Sequence, residues 1–199
     1  LSRNIFYGNF EDIREKIVQN KKLEKYQEEF KRYKLMKKYF KFFLNSIGLR
    51  TNKIFLDQIC FRFSSPKSMR NLGTLQKALA HRDTWGSNMR EQINWWFPIK
   101  NIFDSNSLYV VPEYFNKFIN NTSDKWSYFK YKKNPQKYAS TPFVKDLKII
   151  ENKRIIIKPR IGDIVCFSGH HVHGSGSGES IRLNIETRSI SLGDCLNFK

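Results

Sequence analysis

The stretch from Pro159 to Arg188 constrains the fold more than any other part of the chain. Gly162-Asp163 is a turn pair, and Ile164-Val165-Cys166-Phe167 is a short apolar run that leads into a histidine cluster at His170, His171 and His173. The Gly/Ser segment that follows reads as a hairpin turning the chain back. Beyond it, Arg182-Leu183-Asn184-Ile185-Glu186-Thr187-Arg188 alternates polar and apolar residues. In a strand, that alternation puts Arg182, Asn184, Glu186 and Arg188 on one face. A polar face turned toward a protein interior has to be satisfied by hydrogen bonds or by a ligand.

Far upstream, His81-Arg82-Asp83 sets a histidine and a carboxylate two residues apart, so that both project from the same side of an extended segment. With one histidine of the later cluster they make two imidazoles and one carboxylate. That donor set holds iron(II) and leaves coordination positions open. His171 and His173 share one face of a strand and His170 takes the other, so geometry leaves both His171 and His173 open as the third donor.

The order His-x-Asp, long gap, His, Arg resembles the iron(II)/2-oxoglutarate dioxygenase superfamily, and within it the phytanoyl-CoA dioxygenase-like group. The motifs that carry the resemblance are His81-Arg82-Asp83-Thr84-Trp85, Gln92-Ile93-Asn94-Trp95-Trp96-Phe97-Pro98-Ile99, and Gly162-Asp163-Ile164-Val165-Cys166-Phe167-Ser168-Gly169 leading to His173-Gly174-Ser175. They span residues 52 to 190 in the order of that group. The His-Gly-Ser that starts at His173 matches the group's distal-histidine motif, although Arg182 follows His173 at nine positions and His171 at eleven, the commoner spacing. A hairpin two residues short reconciles the two and assigns His173.

The resemblance implies a double-stranded β-helix, also called a jelly roll or cupin-like fold. It implies iron(II) on His81, Asp83 and His173, with 2-oxoglutarate as co-substrate and dioxygen as oxidant. Arg182 would take the distal carboxylate of 2-oxoglutarate, since a planar two-pronged donor suits a carboxylate better than an ammonium does. Ser175, Gln92 and Asn94 are co-substrate candidates, the two amides serving either the ligand or a metal-bound carboxylate. Arg62, Trp85, Trp96, His171 and Arg188 are substrate-side candidates. The implied reaction is hydroxylation of a small molecule with release of succinate and carbon dioxide. A cupin-like metal protein or isomerase without 2-oxoglutarate chemistry, and a basic nucleic-acid-binding protein, are the alternatives.

The remaining chain fits this frame. At 199 residues it is long enough for one domain with a sizeable core. Residues 11 to 47 read as helical, with apolar residues at three- and four-residue steps, a break at Asn20 and a stop at Gly48. The helices are expected on the back of the sheet rather than on a membrane. Residues 52 to 63 read as one strand, 64 to 80 as a loop with a short helix, and 91 to 99 as a strand with Gln92, Asn94 and Trp96 on one face. Leu108 to Val111, Ile149-Ile150 and Ile155 to Ile157 read as further strands, and 120 to 146 as an insert or lid with a helix near 123 to 131. Short strands without alternating helices favour a mainly β, antiparallel architecture carrying N-terminal helices over residues 1 to 50.

Three cysteines, Cys60, Cys166 and Cys195, are odd in number and widely spaced, which argues against a disulfide framework and for a reducing cytoplasm. No apolar run reaches membrane-spanning length, and no secretory leader opens the chain. The formal charge of +18 is mostly lysine, spread along the chain rather than gathered in a motif, and is read as a solvated surface, not as a specific nucleic-acid site.

Overall fold

The computed structural model describes residues 20–64, 79–100, 102–135, 137–176, 178, 180 and 182–196. The expected helix over 11 to 19 and most of the 64 to 80 loop lie outside these residues. In chain order the helices are α1 (Asn20–Lys31), α2 (Lys34–Ser46), α3 (Thr84–Ser87), α4 (Tyr128–Lys133), α5 (Lys148–Glu151) and α6 (Leu192–Leu196). The strands are β1 (Ile54–Leu56), β2 (Cys60–Ser64), β3 (Ile93–Lys100), β4 (Leu108–Val111), β5 (Ile155–Ile156), β6 (Val165–Ser168), β7 (Val172–Ser175) and β8 (Arg182–Ser191).

β8 is the spine of the larger sheet. β1 and β2 pair along one of its edges, β3 pairs along the other, and β6 follows outside β3. β4 sits between β5 and β7 in the smaller sheet, and all pairings are antiparallel. The architecture is mainly β, a double-stranded β-helix with α1 and α2 on the back of the larger sheet. The run from 52 to 63 is two strands rather than one. It breaks at Asp57, whose N–H donates to Arg188 O at 2.9 Å and whose carbonyl accepts from Thr187 Oγ1 at 3.3 Å.

Period-two alternation sorts the larger sheet's faces. Trp95, Leu183, Ile185, Ile59 and Phe61 point back onto Phe30, Phe40 and Leu44 of the helices, forming one buried cluster. The Phe40 ring meets Trp95 edge-on at 5.6 Å and Phe97 at 5.4 Å, a geometry that adds to area burial. A helical break falls at Arg32-Tyr33, with Tyr33 extended at φ −77°, ψ 93°, while the expected break at Asn20 lies at the edge of the described residues. An unbroken helix would carry Phe30 and Phe40 about 80° out of phase, whereas the break lets both reach the sheet. Gly48, at φ +86°, ends α2 by donating to Asn45 O.

Two further expectations are corrected. Ile149-Ile150 lies in the short helix α5, where Asp146 Oδ1 accepts from Lys148 N at 2.9 Å and Ile150 is fully buried. A two-residue apolar run cannot distinguish strand from helix. The Gly/Ser segment is not a hairpin within one sheet, because β7 belongs to the smaller sheet and β8 to the larger. The segment crosses between them, pinned where Gly176 N donates to Ser107 O at 2.8 Å and Gly178 N to Ser105 O at 2.7 Å. A Cβ on Gly176 would stand 2.3 Å from Ser105 O, so close backbone approach, not turn geometry, requires glycine there. Gly176→Ala should lower stability by about 1–3 kcal/mol, read as a fall in urea midpoint at constant m. Gly86→Ala, whose nearest neighbour would be at 3.5 Å, is the mild comparison.

A second cluster of Ala80, Tyr109, Val111, Ile119, Val144, Ile150 and Val172 backs the smaller sheet. The 120 to 146 segment joins it through Val144, whose N–H donates to Ala80 O at 2.8 Å. Among the described residues no helix is long and apolar enough to cross a membrane.

Candidate metal centre

The residue pair His81 and His173 exchanges two backbone hydrogen bonds, His81 N to His173 O at 2.8 Å and His173 N to His81 O at 2.9 Å. This isolated bridge extends the smaller sheet by one residue beyond β7 and sets the two rings side by side, centroids 4.4 Å apart. Only His81 of the His-x-Asp motif is extended. Asp83 is already helical at φ −60°, ψ −33°, and its carbonyl accepts from Gly86 and Ser87 at the start of α3. The convergence follows all the same: one ligand atom from each of His81, Asp83 and His173 lies within 4.8 Å of the others.

Each imidazole is fixed from behind. His81 Nδ1 is 2.7 Å from Leu79 O, and His173 Nδ1 is 2.9 Å from His171 O. A carbonyl only accepts, so Nδ1 carries the proton and Nε2 presents its lone pair to the site. Burial, joined by the charge of His81 and opposed by Asp83, pulls the His173 pKa down to about 4, which leaves the ring neutral at pH 7. Burial raises the Asp83 carboxyl, but the His81 hydrogen bond and the charges of His173, His81 and Arg188 outweigh it and hold Asp83 well below the usual carboxylate range. Two imidazoles, each with Nδ1 committed to a carbonyl, and an ionised carboxylate are the donors a divalent transition metal needs. Phe167 closes one side, its ring 4.9 Å from that of His173.

Asn94 and Gln92 stand behind the carboxylate. Asn94 Nδ2 donates to Asp83 Oδ2 at 2.5 Å, and Gln92 Nε2 donates to Asn94 Oδ1 at 2.8 Å. Gly169 closes the relay, donating to Gln92 O at 2.8 Å and accepting from Asp83 N at 2.9 Å. Asn94 thus grips Asp83 directly, and Gln92 steadies Asn94. Asn94→Ala should therefore weaken metal affinity by roughly 10- to 100-fold, measured by competition with a metallochromic dye.

Arg182 opens β8 and is buried. It donates from Nη1 to Asn106 O at 2.8 Å and from Nε to Asn184 Oδ1 at 3.1 Å, with its guanidinium 5.6 Å from the Trp96 ring centre. Burial, opposed by Glu186, lowers its pKa to about 10, so it stays cationic at pH 7. Asn184 is fully buried beside it, and its Nδ2 finds no hydrogen-bond partner among the described residues. A buried N–H next to a cation marks a place for an anionic oxygen. Ser175 is buried two residues beyond His173, on the same face of β7.

The other candidates are dispersed. His171 lies against Phe115, ring centres 4.5 Å apart, and is absent from the ligand group. His170 turns away to Thr84 Oγ1 at 3.1 Å and Arg82 Nη1 at 3.4 Å. Trp85 packs on the second core with the Arg82 guanidinium 5.7 Å from its ring, whereas Trp96 lies under Arg182. Arg188 Nη2 is 3.5 Å from Asp83 Oδ1, and its Nη1 is 3.8 Å from Asp57 Oδ2. Arg62 forms an ion pair with Glu186, Nε to Oε1 at 2.7 Å. Glu186, Asn184 and Asp57 were not singled out from sequence, although period two already puts the first two on the site face. Nor was Arg82, whose Nη2 donates to Tyr114 O and to Lys117 O, the latter at 2.8 Å.

No protein-family model and no curated protein matches the chain. Solved structures do. The crystal structure of EvdO2 from Micromonospora carbonacea var. aurantiaca complexed with 2-oxoglutarate is 11% identical with a TM-score of 0.50, covering 76% of this chain and 56% of that one. The crystal structure of EvdO2 alone is 13% identical with a TM-score of 0.51, covering 77% of this chain and 64% of that one. The chain thus spans less than two thirds of either EvdO2 chain. At such identity the likeness is one of fold: this chain shares with EvdO2 the double-stranded β-helix that here carries the His81, Asp83 and His173 group.

Proposed function

We propose that the chain is an iron(II)- and 2-oxoglutarate-dependent oxygenase that hydroxylates a small molecule, in the manner of the phytanoyl-CoA dioxygenase-like group. The observation that carries this reading is the buried His81, Asp83 and His173 group, with both Nδ1 atoms committed to carbonyls and both Nε2 atoms turned to the carboxylate.

His81, Asp83 and His173 would hold iron(II), and Arg182, Asn184 Nδ2 and Ser175 would receive the far carboxylate of 2-oxoglutarate. When bound, these two supply the activation of dioxygen, so that a C–H bond becomes C–OH while 2-oxoglutarate becomes succinate and carbon dioxide. The chain's own contribution is positional. Asn94 keeps the Asp83 carboxylate from rotating, the two carbonyls fix the Nδ1–H tautomer and keep the imidazoles aimed, and Trp96 with Phe167 keeps the interior dry. Asp83 would fill with a carboxylate the position a halide would need, which favours hydroxylation over halogenation. The 120 to 146 segment is the lid in this reading. Its Trp126 and Pro142 pack near Gly86 of α3, three residues beyond Asp83.

Anaerobic addition of iron(II) and then 2-oxoglutarate should produce the weak visible charge-transfer band of the chelate, and air should then release succinate slowly without any substrate. Iron binding with no spectral response to 2-oxoglutarate would instead favour a cupin-like metal protein.

A further inference from the structure

We infer that the substrate is a small zwitterion of no net charge, whose cationic and anionic ends are read by Glu186 and Arg188. This rests on the oxygenase reading above and adds the substrate class to it.

Register gives the placement. Arg188 is directly opposite Asn94 on β3, and Glu186 is opposite Trp96 on β3 and Cys60 on β2. Asn94 touches Asp83, so its cross-strand neighbour Arg188 stands at the metal group, 3.5 Å from the same carboxylate. Glu186 follows on the same face about 7 Å along the strand. Both remain reachable, with side chains 30% and 41% exposed for Glu186 and Arg188, while Arg182 is buried at 5%.

Both also have bonding capacity left over. Glu186 uses Oε1 on Arg62, and its Oε2 accepts no hydrogen bond among the described residues. The Arg188 guanidinium has two carboxylate neighbours, at 3.5 and 3.8 Å, both too far for a good hydrogen bond. A carboxylate oxygen and a fork of N–H donors are therefore on offer side by side, next to the reacting position.

Charge decides what they take. Among the described residues around the site, Arg62, Arg182 and Arg188 face Asp57, Asp83 and Glu186, three cations against three anions. Iron(II) and doubly ionised 2-oxoglutarate cancel each other as well. A substrate with net charge would leave that charge uncompensated in a confined site, which is costly. The +18 of the whole chain thus gives no reason to expect an anionic substrate. Between a neutral polyol and a zwitterion, an ammonium on Glu186 and a carboxylate on Arg188 give charge-assisted bonds, about twice as strong as neutral ones.

The test is calorimetric titration of the full chain loaded anaerobically with iron(II) and 2-oxoglutarate, after its visible band has been recorded in the same sample. Probes are the standard amino acids with uncharged side chains and γ-aminobutyrate as zwitterions, acetyl-CoA and glucose 6-phosphate as anions, and sorbitol as a polyol. A zwitterion should bind saturably and most tightly, Glu186→Gln and Arg188→Met should each weaken it roughly 10- to 100-fold, and Glu186→Asp should recover part of the loss. Tightest binding by an anion or by sorbitol, no binding by any zwitterion, or indifference to Glu186→Gln would overturn the inference. If the visible band itself is missing, the oxygenase reading fails first; a normal band without zwitterion binding sinks only the substrate class.

Discussion

His173→Ala should strip iron(II) from the protein, while His171→Ala leaves it loaded. Among the described residues three protein donors converge, within 4.8 Å of one another, and His173 supplies one of them on a ring fixed by His171 O at 2.9 Å. Disturbing a residue behind a metal ligand costs about 10- to 100-fold in affinity, so removing the ligand itself should cost more than about 100-fold. His171 contributes its backbone carbonyl to that arrangement and its ring to Phe115. An alanine keeps the carbonyl and loses only the ring contact. Iron content after desalting, followed by competitive titration, reads both variants. An iron-free His171→Ala beside an iron-loaded His173→Ala would reverse the assignment. Alternation alone does not make this distinction, since the two histidines share a face; the backbone bridge from His81 to His173 favours His173.

Local chemistry explains what the sequence revealed. The His-x-Asp pair and the alternating run from Arg182 to Arg188 are short-range patterns, and a strand's period of two sorts Trp95 to the core and Asn94, Trp96, Glu186 and Arg188 to the site without knowledge of any partner. Relationships across long separations stayed hidden. Glu186 pairs with Arg62 over 124 positions, so that partner could not be read from spacing. The Gly/Ser segment misled because glycine signals a turn and a close approach alike, and Ser105 O, which forbids a Cβ at Gly176, lies on a remote loop. Asp83 in a helical turn and the helix break at Arg32-Tyr33 carry neither glycine nor proline to announce them.

Arg182→Ala should raise the 2-oxoglutarate concentration needed for half-maximal turnover by roughly 10- to 150-fold, the equivalent of losing about 1.5–3 kcal/mol of charge-assisted hydrogen bonding. Arg182 is suited to this role by rigidity: Asn106 O, Asn184 Oδ1 and the Trp96 ring set its orientation before any ligand arrives, so little entropy is lost on binding. Arg182→Lys keeps the charge but gives up the planar fork and should fall between wild type and alanine. Because Arg182 is buried, its removal also leaves Asn184 Oδ1 and Asn106 O without that donor, and part of the loss will appear in the melting temperature. The two effects separate kinetically, since saturating 2-oxoglutarate should restore turnover of the folded fraction. Arg188→Ala should behave differently, with the 2-oxoglutarate requirement nearly unchanged and the loss falling on substrate, because Arg188 stands at Asp83 six residues further along β8, about 20 Å of strand from Arg182. If Arg188→Ala raises the 2-oxoglutarate requirement and Arg182→Ala does not, the co-substrate carboxylate lies at the other end of the strand and the assignment of Arg182 is wrong.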